Sequence, residues 1–320
     1  MATRTLTVSF LFAIACAGTL NVDAGPPGPQ VIRMGYSETA LAGLSQSDVQ
    51  IAVQLWTREL SFRGGVELTP EIVFFRDTDE LEKLVKEKRV DLFSVGSLEY
   101  LQNRGRIPMR PELVGIVGDD VYEDYILLVH RASNVTQVSQ LTGRKLVVST
   151  TGLDESVPVL WLESLLHGEG LGSQDDFFSE IRRGDKTSQS VVSVFFGQAD
   201  ACLVSRRLYD TMAELNPQLR SDLVGIARSP DYLPSVGCFR VGCSPELRDL
   251  VIEASLTLHK HARGRQVLTL FGIKRIKRFA PALLASTVDL DEAMPGWQGS
   301  TGRTWPNSAG TEQNWGPQAR

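Results

Sequence analysis

Histidine and cysteine are scarce in this chain, and so are long apolar runs. Of 320 residues only 4 are histidine and 4 cysteine. His130, His167, His259 and His261 form no ligand cluster with each other or with the cysteines, which removes zinc-type chemistry and leaves no metal or other cofactor to expect. No G-x-S-x-G occurs and no histidine stands near a run of hydroxyl residues, so the usual signals of an activated nucleophile are missing. The longest apolar run falls well short of the roughly 20 residues that a spanning helix needs. Strong positive charge is lacking as well. The net charge is −5, whereas a nucleic-acid binder is expected to carry a basic face. The one basic cluster, Lys274, Arg275, Lys277 and Arg278, reads as the solvated face of a helix.

The N-terminus sets the compartment. Arg4 precedes an apolar run from Leu6 to Ala17, and Val22-Asp23-Ala24 before Gly25 offers a small-residue cleavage site. Residues 1–24 are therefore expected to be a secretory leader that delivers the mature chain outside the cytoplasm. A lipoprotein signal ending at Cys16 is the second reading, because Ala13 fits that pattern poorly. Cleavage near Ala24 leaves Cys202, Cys238 and Cys243, enough for at most one internal disulfide. Cys202, inside the apolar run ACLV, reads as a buried strand thiol, and a Cys238–Cys243 bridge stays open.

Roughly 270 residues then remain before a polar tail, more than one typical core, which suggests two lobes. Periodicity predicts strands at 31–36, 72–75, 90–95 and 125–130, and helices at 45–60 and 77–88. The first helix carries an apolar stripe at Val49, Val53, Trp56 and Leu60 behind a capping-box-like Ser45/Asp48 start. The alternation repeats with a strand at 146–149, helices ending at His167, Phe196 and Leu215, and strands at 201–205 and 223–228. Strands alternating with helices imply parallel sheets covered on both faces. The region from Pro245 to about Ala285 reads as mostly helical, and 295–320, with Trp297, Trp305 and Trp315, as a disordered tail.

One segment carries chemistry. In LVVSTTGLDESVP, from Leu146 to Pro158, an apolar strand ends in Ser149, Thr150 and Thr151, followed by a glycine and a helix start. Hydroxyls and unpaired N–H groups at a helix N-terminus suit an anion. The competing reading makes them ordinary caps.

The ordered series VIRMGYSE, RVDLFSVGSLEYL, YILLVHRASNV, LTGRKLVVSTTG, SVVSVFFGQADACLVS and LVGIARSP, spread over about residues 31–275, resembles the phosphate/phosphite/phosphonate-type periplasmic solute-binding proteins of ABC transporters. The resemblance implies a type II periplasmic-binding fold, an α/β architecture of two lobes joined by a hinge of two crossover strands. Lobe 1 would comprise residues 30–125 and 222–290, and lobe 2 residues 126–221. It implies a periplasmic, monomeric, non-enzymatic receptor for a small oxyanion or phosphonate-like ligand, with an ABC permease as partner and no nucleic acid. Alternatives on the same fold are a sensory input protein for a membrane histidine kinase or cyclase and, less favoured, a pyrimidine-precursor-type enzyme.

Carried over by position, the implied ligand residues are Tyr36 and Ser37 after the first strand, Ser94, Ser97 and Tyr100 in FSVGSLEY, Ser149, Thr150 and Thr151 in the hydroxyl run, Ser188, and Asp200 of the G-x-x-D-A motif facing a ligand amino group. Lys186, Thr187 and Ser188 stand where amino-phosphonate binders commonly have a histidine. Glu38, Asp154 and Glu155 add carboxylates near the proposed anion slot, and Arg206 and Arg207 are set aside as surface residues.

Overall fold

The computed structural model describes residues 30–38, 46–149, 156–184 and 186–297. The chain opens with β1 (Gln30–Ser37), α1 (Gln46–Gly64), β2 (Leu68–Phe75), α2 (Thr78–Lys86), β3 (Leu92–Gly96), α3 (Ser97–Asn103) and β4 (Met109–Ile116). It crosses to β5 (Tyr125–His130), β6 (Lys145–Ser149), α4 (Ser156–Gly168), α5 (Gln174–Phe177), β7 (Glu180–Gly184), α6 (Thr187–Phe195), β8 (Ala201–Ser205), α7 (Arg206–Leu215), α8 (Pro217–Asp222) and β9 (Leu223–Arg228). It returns through β10 (Ser235–Arg240), α9 (Pro245–Thr257), α10 (Ala262–Leu270), β11 (Arg275–Arg278) and α11 (Ala285–Ala293).

Local chemistry accounts for these elements. The stripe Val49, Val53, Trp56 and Leu60 is buried along α1, against Ile32, Met34 and Leu92 of the first sheet. Asp77 caps α2 by accepting from the Glu80 N–H, and α2 buries Leu81, Leu84 and Val85 on the sheet's other side. Each sheet thus has helices on both faces, as the alternation requires.

The first sheet runs β11-β4-β10-β3-β1-β2 and the second β7-β6-β8-β5-β9. In each, a parallel trio is joined by an antiparallel strand that has just crossed from the other lobe: β10 against β3, and β5 against β8. This is the type II arrangement of two α/β lobes. The sheets are therefore mixed, not parallel as expected. The crossover strands must enter from the far lobe, and only an antiparallel entry lets them do so without another helix.

Other expectations need correction. Strand β9, assigned to lobe 1 by the 222 boundary, pairs with β5 in the second sheet, so the return crossover follows Arg228. The basic cluster forms edge strand β11 on β4 and not a helix face, with Lys274 paired to Asp119 and Arg278 to Glu253. Charged side chains on an exposed edge also block pairing with other chains. Cys202, Cys238 and Cys243 are all free and buried, so the open bridge is not formed. Trp297, placed in the tail, packs against the core of the second lobe. The leader and residues 298–320 lie outside the described residues, as does Ser45 of the capping box.

A charge cluster locks the crossovers together. Asp124, nearly fully buried, accepts from Nε of Arg206 and Nε of Arg228, each at 2.6 Å. Beside it Glu123 accepts from Ser205 Oγ and from Arg207 Nε, and its backbone pairs with Tyr232 of the return strand. Arg206 and Arg207, read as surface residues, thus belong to the hinge. A second tie is α11, which packs on both α3 and α4. The hydroxyls of Ser97 and Thr287 meet at 3.3 Å, and Gln102 Nε2 donates to Asp291 and to the Trp297 carbonyl, each at 3.0 Å.

Replacing Asp124 leaves two arginines facing a buried gap. Asp124→Ala should lower unfolding stability by about 1–3 kcal/mol in urea titration, less than for a fully buried pair because both arginines stay partly hydrated. An unchanged midpoint would show that the clamp contributes nothing.

Candidate functional site

Strand direction decides where a site can form. In sheets of this kind ligands sit beyond the carboxyl ends of the parallel strands. In the second lobe those ends are Ser149 of β6, Gly184 of β7 and Ser205 of β8; in the first they are Ser37 of β1 and Gly96 of β3. Helices α3 and α4 touch one another, and each begins shortly beyond one of these ends. The two sets of strand ends therefore open onto a shared cleft, with the crossovers behind it.

On the second-lobe side, Ser149 is buried and its Oγ lies 3.2 Å from Thr187 Oγ1, also buried. Ser190, one turn along α6, donates to the Lys186 carbonyl at 3.4 Å and is fully buried. Gly184 completes this corner. A Cβ there would fall 2.1 Å from Ser190 Oγ, so any larger residue would force that hydroxyl to turn away. The N-terminus of α6 thus converges on Ser149, and its N-cap residue, Lys186, makes no side-chain cap to the first N–H groups. Partial positive charge from those N–H groups, with exposed Lys186 at the cap, makes the corner favourable to an anion.

On the first-lobe side, Tyr36, Ser37 and Ser94 line a cavity of about 480 Å³ beneath α1. Tyr36 is half-buried and its phenol pKa is pushed well above the usual value by burial, so it stays a neutral donor at any physiological pH. Ser94 Oγ donates to the Val236 carbonyl at 3.4 Å.

A family model described as ABC transporter, phosphonate, periplasmic substrate-binding protein matches residues 39–284. The chain belongs to this family. Its members are binding proteins of transporters, and this one shares their periplasmic class. Among curated proteins none matches the chain in sequence. Among solved structures, XAC2383 from Xanthomonas citri bound to ATP is similar, with 16% identity, 82% of this chain and 96% of that chain covered, and a TM-score of 0.63. PhnD1 from Prochlorococcus marinus in complex with methylphosphonate shares 16% identity over 82% of this chain and 97% of its own, at a TM-score of 0.59. A binding protein component of an ABC phosphonate transporter from Pseudomonas aeruginosa shares 12% over 82% and 85%, also at 0.59. At these identities the likeness shows the fold alone.

The residues expected at the site divide into groups. Tyr36, Ser37 and Ser94 come together at the first-lobe cavity, and Ser149 heads the second-lobe corner. Thr150 and Thr151 lie outside the described residues, as do Asp154 and Glu155. Ser188 is exposed, and its neighbour Thr187 takes the buried position; the helix begins one residue earlier than expected. Ser97 turns to Thr287 of the strap, and Tyr100 packs edge-on against Phe279 in the first-lobe core, so neither meets the cavity.

Asp200 needs the largest correction. It accepts from the Lys145 N–H at 2.9 Å and from Arg144 at 3.4 Å. That is the opposite end of β6 from Ser149, about 13 Å away at roughly 3.3 Å per residue. The reason is directional: Asp200 precedes β8, and the start of a parallel strand points away from the cleft. Glu38 is exposed, with its N–H donating to the Phe75 carbonyl. Thr187 and Ser190 were missed, although the hydroxyl-rich KTSQS before an apolar helix was a visible signal. Among the described residues no group of three or more histidine, cysteine, aspartate or glutamate is placed to hold a metal ion.

Glu99 on α3 offers a pH test. Thr78 donates to its carboxylate at 2.7 Å, yet burial dominates and holds its pKa above the ordinary carboxylate value. A raised folded pKa means the protonated form favours folding: this contribution is complete at acid pH and is lost as pH rises through and above the carboxylate range. Glu99→Gln should therefore raise the thermal midpoint at pH 7 relative to wild type and leave it nearly equal at pH 4. A lower midpoint at pH 7 would show that the ionised form is the stabilised one.

Proposed function

We propose that this protein is an extracytoplasmic receptor that captures a small oxyanion between its two lobes and presents the closed form to an ABC permease. One observation carries the reading: the buried hydroxyls of Ser149 and Thr187 meet at 3.2 Å where α6 begins, on the cleft side of the second sheet. Neutral hydroxyls and helix N–H groups suit an anion that must be released again, because they bind without a full opposite charge. Ligand that touches both lobes stabilises the closed arrangement, and that population is what a membrane partner recognises.

The same proposal includes secretion through cleavage near Ala24 and a monomeric, non-enzymatic chain. A sensory role would share the capture step and differ only in the membrane partner. Family membership, together with the methylphosphonate held by PhnD1 from Prochlorococcus marinus, supports phosphonates as the first ligands to try.

Thermal-shift and calorimetric titration of the purified protein against phosphate, phosphite, sulfate, methylphosphonate and methanesulfonate should find at least one oxyanion that raises the unfolding midpoint. Ser149→Ala combined with Thr187→Val should weaken that ligand about tenfold or more, the loss of one or two charge-assisted hydrogen bonds. The midpoint of the unliganded protein should change little. Unaltered affinity with a large fall in unliganded stability would show these hydroxyls to be structural caps.

A further inference from the structure

Folded cores are packed to crystal-like density, yet the face of the first sheet beneath α1 encloses about 480 Å³. The strand register explains the void. Met34, Leu92 and Phe239 stand side by side on β1, β3 and β10, three large side chains that fill their row. One pleat closer to the cleft the row runs Tyr36, Ser94, Gly237 and Leu113, since Ser94 pairs with Gly237, Gly237 with Leu113, and Tyr36 follows the Gly35–Phe93 pair. Bulk remains at the two ends of that row, and its middle holds only a serine and a glycine.

Every described residue in the lining belongs to the first lobe, so the cavity is a chamber separate from the corner at Ser149 and Thr187. Its walls are mostly apolar, built from Val49, Ala52 and Trp56 of α1 with Phe271 and Ile273. Ile51 and Leu270 also line it and are exposed, which gives an apolar entry from solvent. The polar groups are the hydroxyls of Tyr36, Ser37, Ser94, Ser235 and Ser255 and the carboxylate of Asp48. Asp48 is exposed and is the only charged residue among those described in the lining. Ser255 Oγ, on α9, is buried and has no hydrogen-bond partner. These features sort ligands by charge. An anion would meet a carboxylate and no cation. A cation would lose water to apolar walls, with only an exposed, well-hydrated carboxylate in return. An uncharged apolar body loses little on entry, since apolar cavities stay dry and take up rings such as benzene, and the volume lies within the range of small-molecule sites, about 300–1,000 Å³. A polar group on that body would satisfy the orphaned Ser255 hydroxyl.

We infer that the first lobe holds a second ligand site, for an uncharged, mainly apolar small molecule whose body fills the cavity beneath α1 and whose single polar group bonds Ser255. The assignment does not depend on the oxyanion reading. The anion corner and this cavity share no described residue, so one protein molecule can hold an anion and a neutral ligand at once.

Calorimetry with 1-naphthylmethanol, 1-naphthylmethylammonium and 1-naphthoate, ligands of similar shape and different charge, tests this. The alcohol should bind, and the ammonium and the carboxylate should bind about tenfold or more weakly. Ser255→Ala should weaken the alcohol about fivefold, the loss of one neutral hydrogen bond, and leave plain naphthalene unchanged. The same variant should keep or raise the unliganded thermal midpoint, because it removes a buried hydroxyl without a partner. Ala52→Phe, which places a ring in the cavity, should abolish binding, and Val49→Phe serves as a second filler if the first fails to fold. Ser149→Ala combined with Thr187→Val should leave the alcohol's affinity unaltered, which separates this site from the anion corner. The assignment is overturned by no binding of the alcohol, by tighter binding of either charged analogue, by an affinity that Ser255→Ala does not change, or by binding that the fillers leave intact. Each of these results leaves the oxyanion titrations to stand or fall on their own.

Discussion

Two crossovers must pass between the lobes without letting them drift, and the buried carboxylate of Asp124 is what holds them. It lies just before β5, the first strand of the second lobe, and binds Arg206 from the start of α7 and Arg228 from the end of β9. All three elements border the cleft. Because the clamp joins the outgoing crossover to the strand and helix ends of the second lobe, it fixes which edge of that lobe faces the first. The strap formed by α11 adds a contact on the other side, through Ser97 and Gln102. One charged clamp and one helix contact thus tie the two lobes at two separate places.

The site that this hinge frames is built almost wholly from neutral donors. Among the described residues, the charged groups nearby are the exposed Lys186 on one side and, on the other, the exposed carboxylates of Glu38 and Asp48, the latter in the lining of the first-lobe cavity. A carboxylate within 4 Å of an anion would cost about 4 kcal/mol at an effective dielectric near 20, so an anion held in the cleft must stay clear of both. The family's G-x-x-D-A aspartate does not add to this balance here, because Asp200 is engaged by Arg144 and Lys145 at the far end of β6.

Much of the architecture was legible in the sequence for a simple reason: buried elements leave period. YILLVH and ACLV are continuous apolar runs because β5 and β8 lie in the middle of the second sheet, covered on both faces. The stripe on α1 was visible because one face of that helix meets the sheet. Two of the four edge strands, β7 and β11, left no such trace. Glu180–Gly184 reads EIRRG and Arg275–Arg278 reads RIKR, and only pairing with β6 and β4 makes them strands. The hydroxyl corner was legible at Ser149 from the strand-to-helix turn, but its partner was misplaced by one position, from Thr187 to Ser188, since helix starts are poorly marked where hydroxyl residues follow one another. Asp200 was misassigned because a motif carries residue types and not strand direction. The cavity was invisible altogether. It borders Gly237 and Ser94, which stand opposite one another on neighbouring strands, a coincidence of register that no local pattern encodes.

The central claim is that an anion is gripped at the corner made by Ser149, Thr187 and the first turn of α6. The most direct measurement is a crystal structure of the protein grown with the tightest-binding oxyanion. The account predicts the phosphorus or sulfur atom in the cleft, with its oxygens within hydrogen-bonding distance of both hydroxyls and of main-chain N–H groups at the start of α6. An anion bound elsewhere, with this corner closed over by neighbouring side chains, would contradict it.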